Sequence, residues 1–400
     1  MIKINEKQNC CGCTACAAIC PKDAIAMKED NEGFLYPNID LVNCIDCGAC
    51  EKVCPILNVS KEKPFKQTAY IVQNKNQIIL RESTAGGAFT AIANYILHNK
   101  GIVFGVELGS DLVARHIGID NENDLHKFRN SKYVQSSVGL DTFRKIKSFL
   151  DMGRLVCFSG TPCQIEGLKK FLKKDYSNLI TVDVVCRAVP SPLIFRKYIE
   201  YQKKALQDNI KQVRFRDKYF GYKYSTLNVI TNTNQGNYHL GVESDPWLRA
   251  FFSNICDRPS CHSCSFRKQY RVSDFTIWDC FNVGRFSKKL DNDKGATRIL
   301  IHTEKGENVF NFIKNDFIYL QVTPEAAIAG VKEMKQSVIP NEKREIFFKD
   351  ACSMNGYELF NKYFPKNIKA KLEHNIRLLC YKLGIYSFAK KLYVRLTHKY

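Results

Sequence analysis

Cys10-Cys-Gly-Cys-Thr-Ala-Cys-Ala-Ala-Ile-Cys-Pro21 is matched by Cys44-Ile-Asp-Cys-Gly-Ala-Cys-Glu-Lys-Val-Cys-Pro55, and this shared spacing decides the first fold unit. In each run three cysteines stand two residues apart, a fourth follows after three more, and a proline closes the run. Two-residue gaps wrap a tight turn around three iron corners of a 4Fe–4S cube, and the fourth thiolate reaches the neighbouring cube. The crossed assignment puts Cys10, Cys13, Cys16 and Cys54 on one cluster, and Cys44, Cys47, Cys50 and Cys20 on the other. Gly12 and Gly48 permit the close turn. Pro21 and Pro55 turn the chain away without an N–H that needs a partner. Zinc sites take their cysteines in pairs rather than in such a run. Disulfides need a secreted chain, and the polar start Met1–Asn9 lacks the apolar core of a signal peptide. Cys11 is left over, a small residue beside the cluster.

The doubled run is that of a bacterial two-cluster ferredoxin, which predicts an α+β ferredoxin module over residues 1–57 and a role in moving electrons. The polar stretch 58–67 reads as a linker. Beyond it apolar strands at 68–72, 102–106, 155–158 and 179–185 alternate with helical segments, one of them opening at Ser83-Thr-Ala-Gly-Gly-Ala88 and running to about 98. Such alternation predicts an α/β domain with a mostly parallel sheet over 68–350, followed by a basic helical tail over 351–400. No run approaches 18 apolar residues, so no membrane-spanning helix is expected. The absence of a secretion signal, with so many cysteines, points to reducing cytoplasm. Sixty Lys and Arg against 40 acids give a formal +20. A cluster with its four thiolates carries 2−, so three clusters would lower this to about +14. An excess of that size draws acidic partners, anionic membrane surfaces or nucleic acid.

Two strand ends hold the next signal. Thr161 suits an N-cap and Pro162 the first helical position, which places Cys163 in the first turn of a helix over 163–174. There the helix dipole favours a thiolate. Cys186 follows the strand over 179–185, at the carboxyl edge where open α/β sheets bind ligands. Farther on stand Cys256, Cys261 and Cys264. Cys163, Cys186, Cys261 and Cys264 would make four ligands for a third cluster. The alternatives are zinc held by Cys256, Cys261, Cys264 and one upstream cysteine, or no metal at all. Cys157, Cys280, Cys352 and Cys380 lie in apolar surroundings and read as buried structural thiols.

From about residue 68 to 350 the chain resembles the coenzyme F420 hydrogenase/dehydrogenase beta-subunit family. The resemblance rests on Glu82-Ser-Thr-Ala-Gly-Gly-Ala-Phe89, Ser131-Lys-Tyr-Val-Gln-Ser136, Gly160-Thr-Pro-Cys-Gln-Ile-Glu-Gly-Leu168 and Val182-Asp-Val-Val-Cys186. It extends to Phe215-Arg-Asp-Lys218, the Cys261/Cys264 pair, Asp293-Lys-Gly295 and His302-Thr-Glu-Lys-Gly306. It implies an FAD-containing electron-transfer oxidoreductase with a third 4Fe–4S cluster beside the flavin, on Cys163, Cys186, Cys261 and Cys264, with Cys256 as understudy. It also implies that the Ser83–Gly87 loop, through Ser83, Gly86 and Gly87, cradles the FAD pyrophosphate at a helix N-terminus. Lys132 and Thr161 are further cofactor candidates. The chain departs from the family pattern at Asn130, where Gly is common, at Arg187-Ala188, where His-Gly is common, and at Trp278-Asp-Cys-Phe281.

A flavin joined to clusters converts two-electron chemistry into single-electron flow. The expected path links an acidic ferredoxin or flavodoxin, the ferredoxin module, the third cluster, FAD and a small organic substrate or deazaflavin. The runner-up is a relay subunit with clusters and no flavin, serving a partner enzyme. No basic stripe interleaved with aromatics stands out, so nucleic acid is not an expected partner. His116, His126 and His262 are candidate proton donors, with an ordinary surface histidine as the preferred reading of each. In the tail, Ile368, Leu372, Ile376, Leu379 and Leu383 recur on one helical face amid nine Lys/Arg and one Glu over 366–400. A helix docked on the domain with its basic face in solvent is the preferred reading. Peripheral contact with an anionic inner membrane face is the other.

Overall fold

The computed structural model describes residues 1–233 and 238–397. The N-terminal unit pairs two short helices, α1 (Ala15–Ile19) and α2 (Ala49–Lys52), with an antiparallel hairpin of β1 (Ile25–Glu29) and β2 (Leu35–Ile39). Gly12 and Gly48, with φ of +71° and +68°, make the left-handed turns that precede these helices.

The main domain begins with β3 (Thr68–Asn74), α3 (Gln77–Glu82), α4 (Ala88–His98), β4 (Ile102–Leu108) and β5 (Ala114–Ile119). Next come α5 (Leu140–Asp151), β6 (Val156–Gly160), α6 (Pro162–Leu172) and β7 (Leu179–Val184). A second layer follows: α7 (Pro192–Leu206), β8 (Ile210–Asp217), β9 (Thr226–Thr231), β10 (Tyr238–Leu240) and α8 (Pro246–Phe252). The chain then returns through β11 (Phe275–Asp279), β12 (Thr297–Ile301), α9 (Glu304–Ile313), β13 (Phe317–Val322) and α10 (Pro324–Ile328). It closes with α11 (Arg344–Ser353), α12 (Gly356–Tyr363), α13 (Ile368–Lys382) and α14 (Tyr386–Thr397).

The eight-stranded sheet has the order β13-β3-β12-β11-β7-β6-β4-β5. Its centre, β11-β7-β6-β4, is parallel, and antiparallel strands close both edges. This is the expected α/β layering with a mostly parallel core, mixed at its margins. The buried strands read as continuous apolar runs because helices cover both faces. A separate antiparallel sheet, β10-β9-β8, packs with α7 and α8 in a core around Phe195, Tyr198, Phe215 and Trp247. The carboxyl ends of β6 and β7 point at the gap between these two layers.

Candidate functional site

The eight ferredoxin cysteines fall into two groups. Cys10, Cys13, Cys16 and Cys54 are buried together. Burial, and after it the charges of Cys10 and Cys54, push the Cys16 thiol up to about 12. Thiolates crowded in this way repel one another, and the cationic core of a cube is what relieves them. Cys20, Cys44, Cys47 and Cys50 line one small cavity with Pro21 and Ile39. The Cys50 and Cys20 sulfurs accept backbone N–H bonds from Ile2 and Ala24, each at 3.3 Å. Cys47 is exposed, whereas Cys16 and Cys50 adjoin each other inside one apolar cluster.

The first group also touches the main domain. A Cβ on Gly167 of α6 would stand 2.8 Å from the Sγ of Cys13, so only glycine lets this helix approach. The leftover Cys11 lies between Cys13 and Cys163 and hydrogen-bonds both. Arg258, wholly buried, donates to Cys10 O at 2.8 Å, Gln135 Oε1 at 3.0 Å and Leu35 O at 3.0 Å. It rivets the ferredoxin hairpin to the main domain, and no local sequence pattern marked it.

Cys163, Cys186, Cys261 and Cys264 meet across elements far apart in sequence. Burial, then Cys163, pushes the Cys186 thiol up to about 12. Cys261 feels Cys186 and Cys163, and Cys264 feels Cys163. Cys163 sits in the first turn of α6, but the expected dipole effect is overridden: the contact with Cys11, then burial, raises its thiol. Cys256 is buried in the apolar core beside Phe34 and Trp247, outside this group of four. Among the described residues, no three His, Cys, Asp or Glu close around a single-ion position. A cubane would take four thiolates, and these four cysteines are the set that could supply them. The pair Lys268–Glu166 braces the group, linking the loop after Cys264 to α6 at 2.6 Å. The stretch 58–67 joins this brace, since Lys268 Nζ donates to Ser60 O and Ser60 Oγ donates to Glu166, both at 3.1 Å.

Three of the motifs enclose one space. Thr84 Oγ1 accepts from Ser131 N at 2.7 Å, and Gln164 Nε2 donates to Ser136 Oγ at 3.1 Å. The cavity between them has a volume of about 1590 Å³, and Ser83, Gly87, Lys132, Thr161 and Cys186 all line it. Gly87, at φ +77°, caps α4 with no side-chain hydrogen bond, so free N–H groups of the first turn face the space. Gly86 differs: a Cβ there would stand 2.3 Å from Val72 O, so that glycine serves packing against β3. Burial, then the Arg214 charge, lowers the Lys132 amine to about 7, while its Nζ donates to Lys127 O and Arg129 O. Asn130 adopts φ +69°, which explains how it stands where relatives favour glycine: Asn tolerates the left-handed region.

Residues without an assigned role in the sequence also shape the cavity. Lys218 Nζ donates to the carbonyls of Leu80, Ala85 and Lys294 at 2.6–2.7 Å, holding the Ser83–Gly87 loop. Arg216 donates to Ser225 Oγ, Tyr133 Oη and the Asp279 carboxylate, leaving Nη2 buried without a partner. Arg129 Nε and Trp278 Nε1 are likewise unpartnered among the described residues. Orphaned donors plus an open helix N-terminus fit an extended anionic ligand.

Several single-residue readings change. Cys157 and Cys280 are buried as expected, but Cys352 is exposed and Cys380 faces the cavity. His116 is not a surface histidine: it is buried against Phe158, and burial lowers it to about 4. His262 is partly buried, and His126 is bonded to Asn123 O at 2.6 Å. The tail helix α13 docks on the domain through His374, Arg377 and Tyr381, and its apolar row faces solvent together with Lys369, Lys371 and Lys382.

Comparison with known proteins gives two matches along the chain. Residues 153–326 match the model for the C-terminal part of the coenzyme F420 hydrogenase/dehydrogenase beta subunit, and residues 9–57 match the 4Fe-4S dicluster domain. No curated protein matches the chain. Among solved structures, a chain of the F420-reducing NiFe hydrogenase complex from Methanosarcina barkeri is similar, at 16% identity and a TM-score of 0.43. The alignment covers 76% of this chain and 94% of that one. The paired cysteine runs and the Gly160–Leu168 segment lie inside the two matched regions: the chain carries a 4Fe–4S dicluster domain over 9–57 and, over 153–326, a region similar to the C-terminal part of the coenzyme F420 hydrogenase/dehydrogenase beta subunit.

Proposed function

We propose that this protein is an iron–sulfur flavoprotein oxidoreductase. In this reading it passes electrons between a ferredoxin-type carrier, its own 4Fe–4S clusters and FAD, to or from an organic substrate or a deazaflavin. The observation that carries the reading is a shared boundary: Cys186 of the third cysteine group, and Thr161, whose hydroxyl contacts Cys163, line the 1590 Å³ cavity. That volume exceeds the roughly 300–1,000 Å³ of an ordinary ligand pocket, leaving room for a cofactor and a second molecule. Bound FAD supplies exchange between hydride transfer and single electrons.

The chain's own groups then have distinct tasks. The first turn of α4, opened by Gly87 and Ser83, holds a pyrophosphate, and Lys218 keeps that loop in place. Arg216 and Arg129, whose charges pair with Asp279 and Glu82, turn their remaining donors, Nη2 and Nε, to further oxygens. Lys132, lowered to about 7, can hold or release a proton at neutral pH. Cys163, Cys186, Cys261 and Cys264 are the ligands of a third cluster in this reading. The order of contacts from exposed Cys47, through Cys50 and Cys16, to Cys13, Cys11 and Cys163 supports an electron path from surface to cavity. Leu41, Val42 and Ile45, exposed around Cys44 and Cys47, suit a carrier's contact, and the formal +20 favours an acidic ferredoxin or flavodoxin.

Acid release of flavin from anaerobically purified protein tests the proposal. About one FAD per chain is expected. No flavin in protein with intact clusters would replace this reading with that of a relay subunit.

A further inference from the structure

The last two helices fold back against the cavity through polar contacts. Tyr224 Oη meets His374 Nδ1 at 2.7 Å, and His374 and Arg377 pair with the buried Glu243 at 3.1 and 3.6 Å. Tyr381 Oη donates to Asp293 at 2.7 Å. Docked by this polar side, α13 turns its apolar row outward: Ile368, Leu372, Ile376, Leu379 and Leu383 are between 51% and 88% exposed. A soluble amphipathic helix ordinarily does the reverse. In α14, Phe388 is a further 71% exposed. Lys369, Lys371, Lys382 and Lys391 have no carboxylate partner among the described residues. No helix among them is long and apolar enough to cross a membrane.

An outward apolar row set among unpaired cations complements one kind of surface, a hydrocarbon boundary under anionic headgroups. Leu372 and Ile376 belong both to this row and to the wall of the cavity. We propose that the C-terminal hairpin seats the protein on an anionic lipid leaflet, with the Ile368–Leu383 row in the headgroup region and the cavity mouth beside the bilayer. This seating is independent of whether the cavity binds flavin.

Flotation of the full-length holoprotein tests it, with vesicles of phosphatidylcholine alone or containing phosphatidylglycerol. The protein should float with the anionic vesicles and sediment with the neutral ones. L379E/L383E/F388E, all outside the cavity wall, should abolish flotation while retaining the cluster absorbance of the parent. K371Q/K382Q/K391Q should lower the partition coefficient by roughly fivefold per lysine. Absence of wild-type flotation, or flotation unchanged in both variants, overturns the proposal. So does a lipid-free dimer that the glutamate variant converts to monomer, since a second copy would then cover this face.

Discussion

Replacing Lys268 by Met would strand the Glu166 carboxylate. The two side chains are 7% and 3% exposed, and their charged atoms stand 2.6 Å apart. After the substitution Glu166 keeps only the Ser60 hydroxyl as a partner. Removing one member of a buried pair costs about 3–5 kcal/mol, because the remaining charge is desolvated without compensation. Neutralising both members removes that penalty, so E166Q/K268M should recover most of the loss, to within about 1 kcal/mol of the parent. The consequence is local as well as global. Glu166 lies one turn after Cys163 on α6, and Lys268 follows Cys264 by four residues, so the pair sets the spacing of the third cysteine group. The assay is the thermal denaturation midpoint of the four proteins of the cycle at one scan rate, read beside iron content. K268M should fall by several degrees and lose iron from the third group, and the double variant should regain both. A double variant no better than K268M would mean that the loss comes from packing and not from an unpaired charge.

Other expectations follow from the same geometry. Cys186→Ser should remove about four iron atoms per chain, whereas Cys11→Ser should remove none, and colorimetric iron analysis separates them. Gly87→Ala forces a side chain into φ +77°, with its Cβ 3.0 Å from Ile79, and should cost about 1–2 kcal/mol and lower bound flavin, measured by acid release. Lys132 is lowered from 10.5 to about 7, so the folded state binds fewer protons than the unfolded one between those values. Its contribution to stability therefore rises with pH from about 7 to 10.5, and Lys132→Met should flatten that slope in denaturation curves taken across the range.

Local pattern carried much of the protein. The doubled cysteine run announces its clusters because a cubane demands its ligands at short, repeated intervals. The alternation of apolar strand and helix from residue 68 announces the layered sheet, and Thr161-Pro162 announces the start of α6. The second layer was harder to see. The strand over 210–217 alternates lysine, glutamine and arginine with apolar residues, and its pairing with 226–231 depends on what covers it. The outward turn of α13 was not legible either, because a hydrophobic row tells which residues share a face and not which way that face points.

From the sequence alone come the ligand chemistry of the first two clusters and the fold class, encoded by short-range spacing and alternation, and the candidates at positions 163, 186, 261 and 264, marked by strand ends and by the family resemblance. Only the tertiary structure decides that those four cysteines meet, that Cys11 and Arg258 join the two units, and that one cavity runs from the cysteines to the C-terminal hairpin. Each of these is a contact between residues distant in the chain, and such contacts are set by how whole elements pack and bury their surfaces, which no local pattern records.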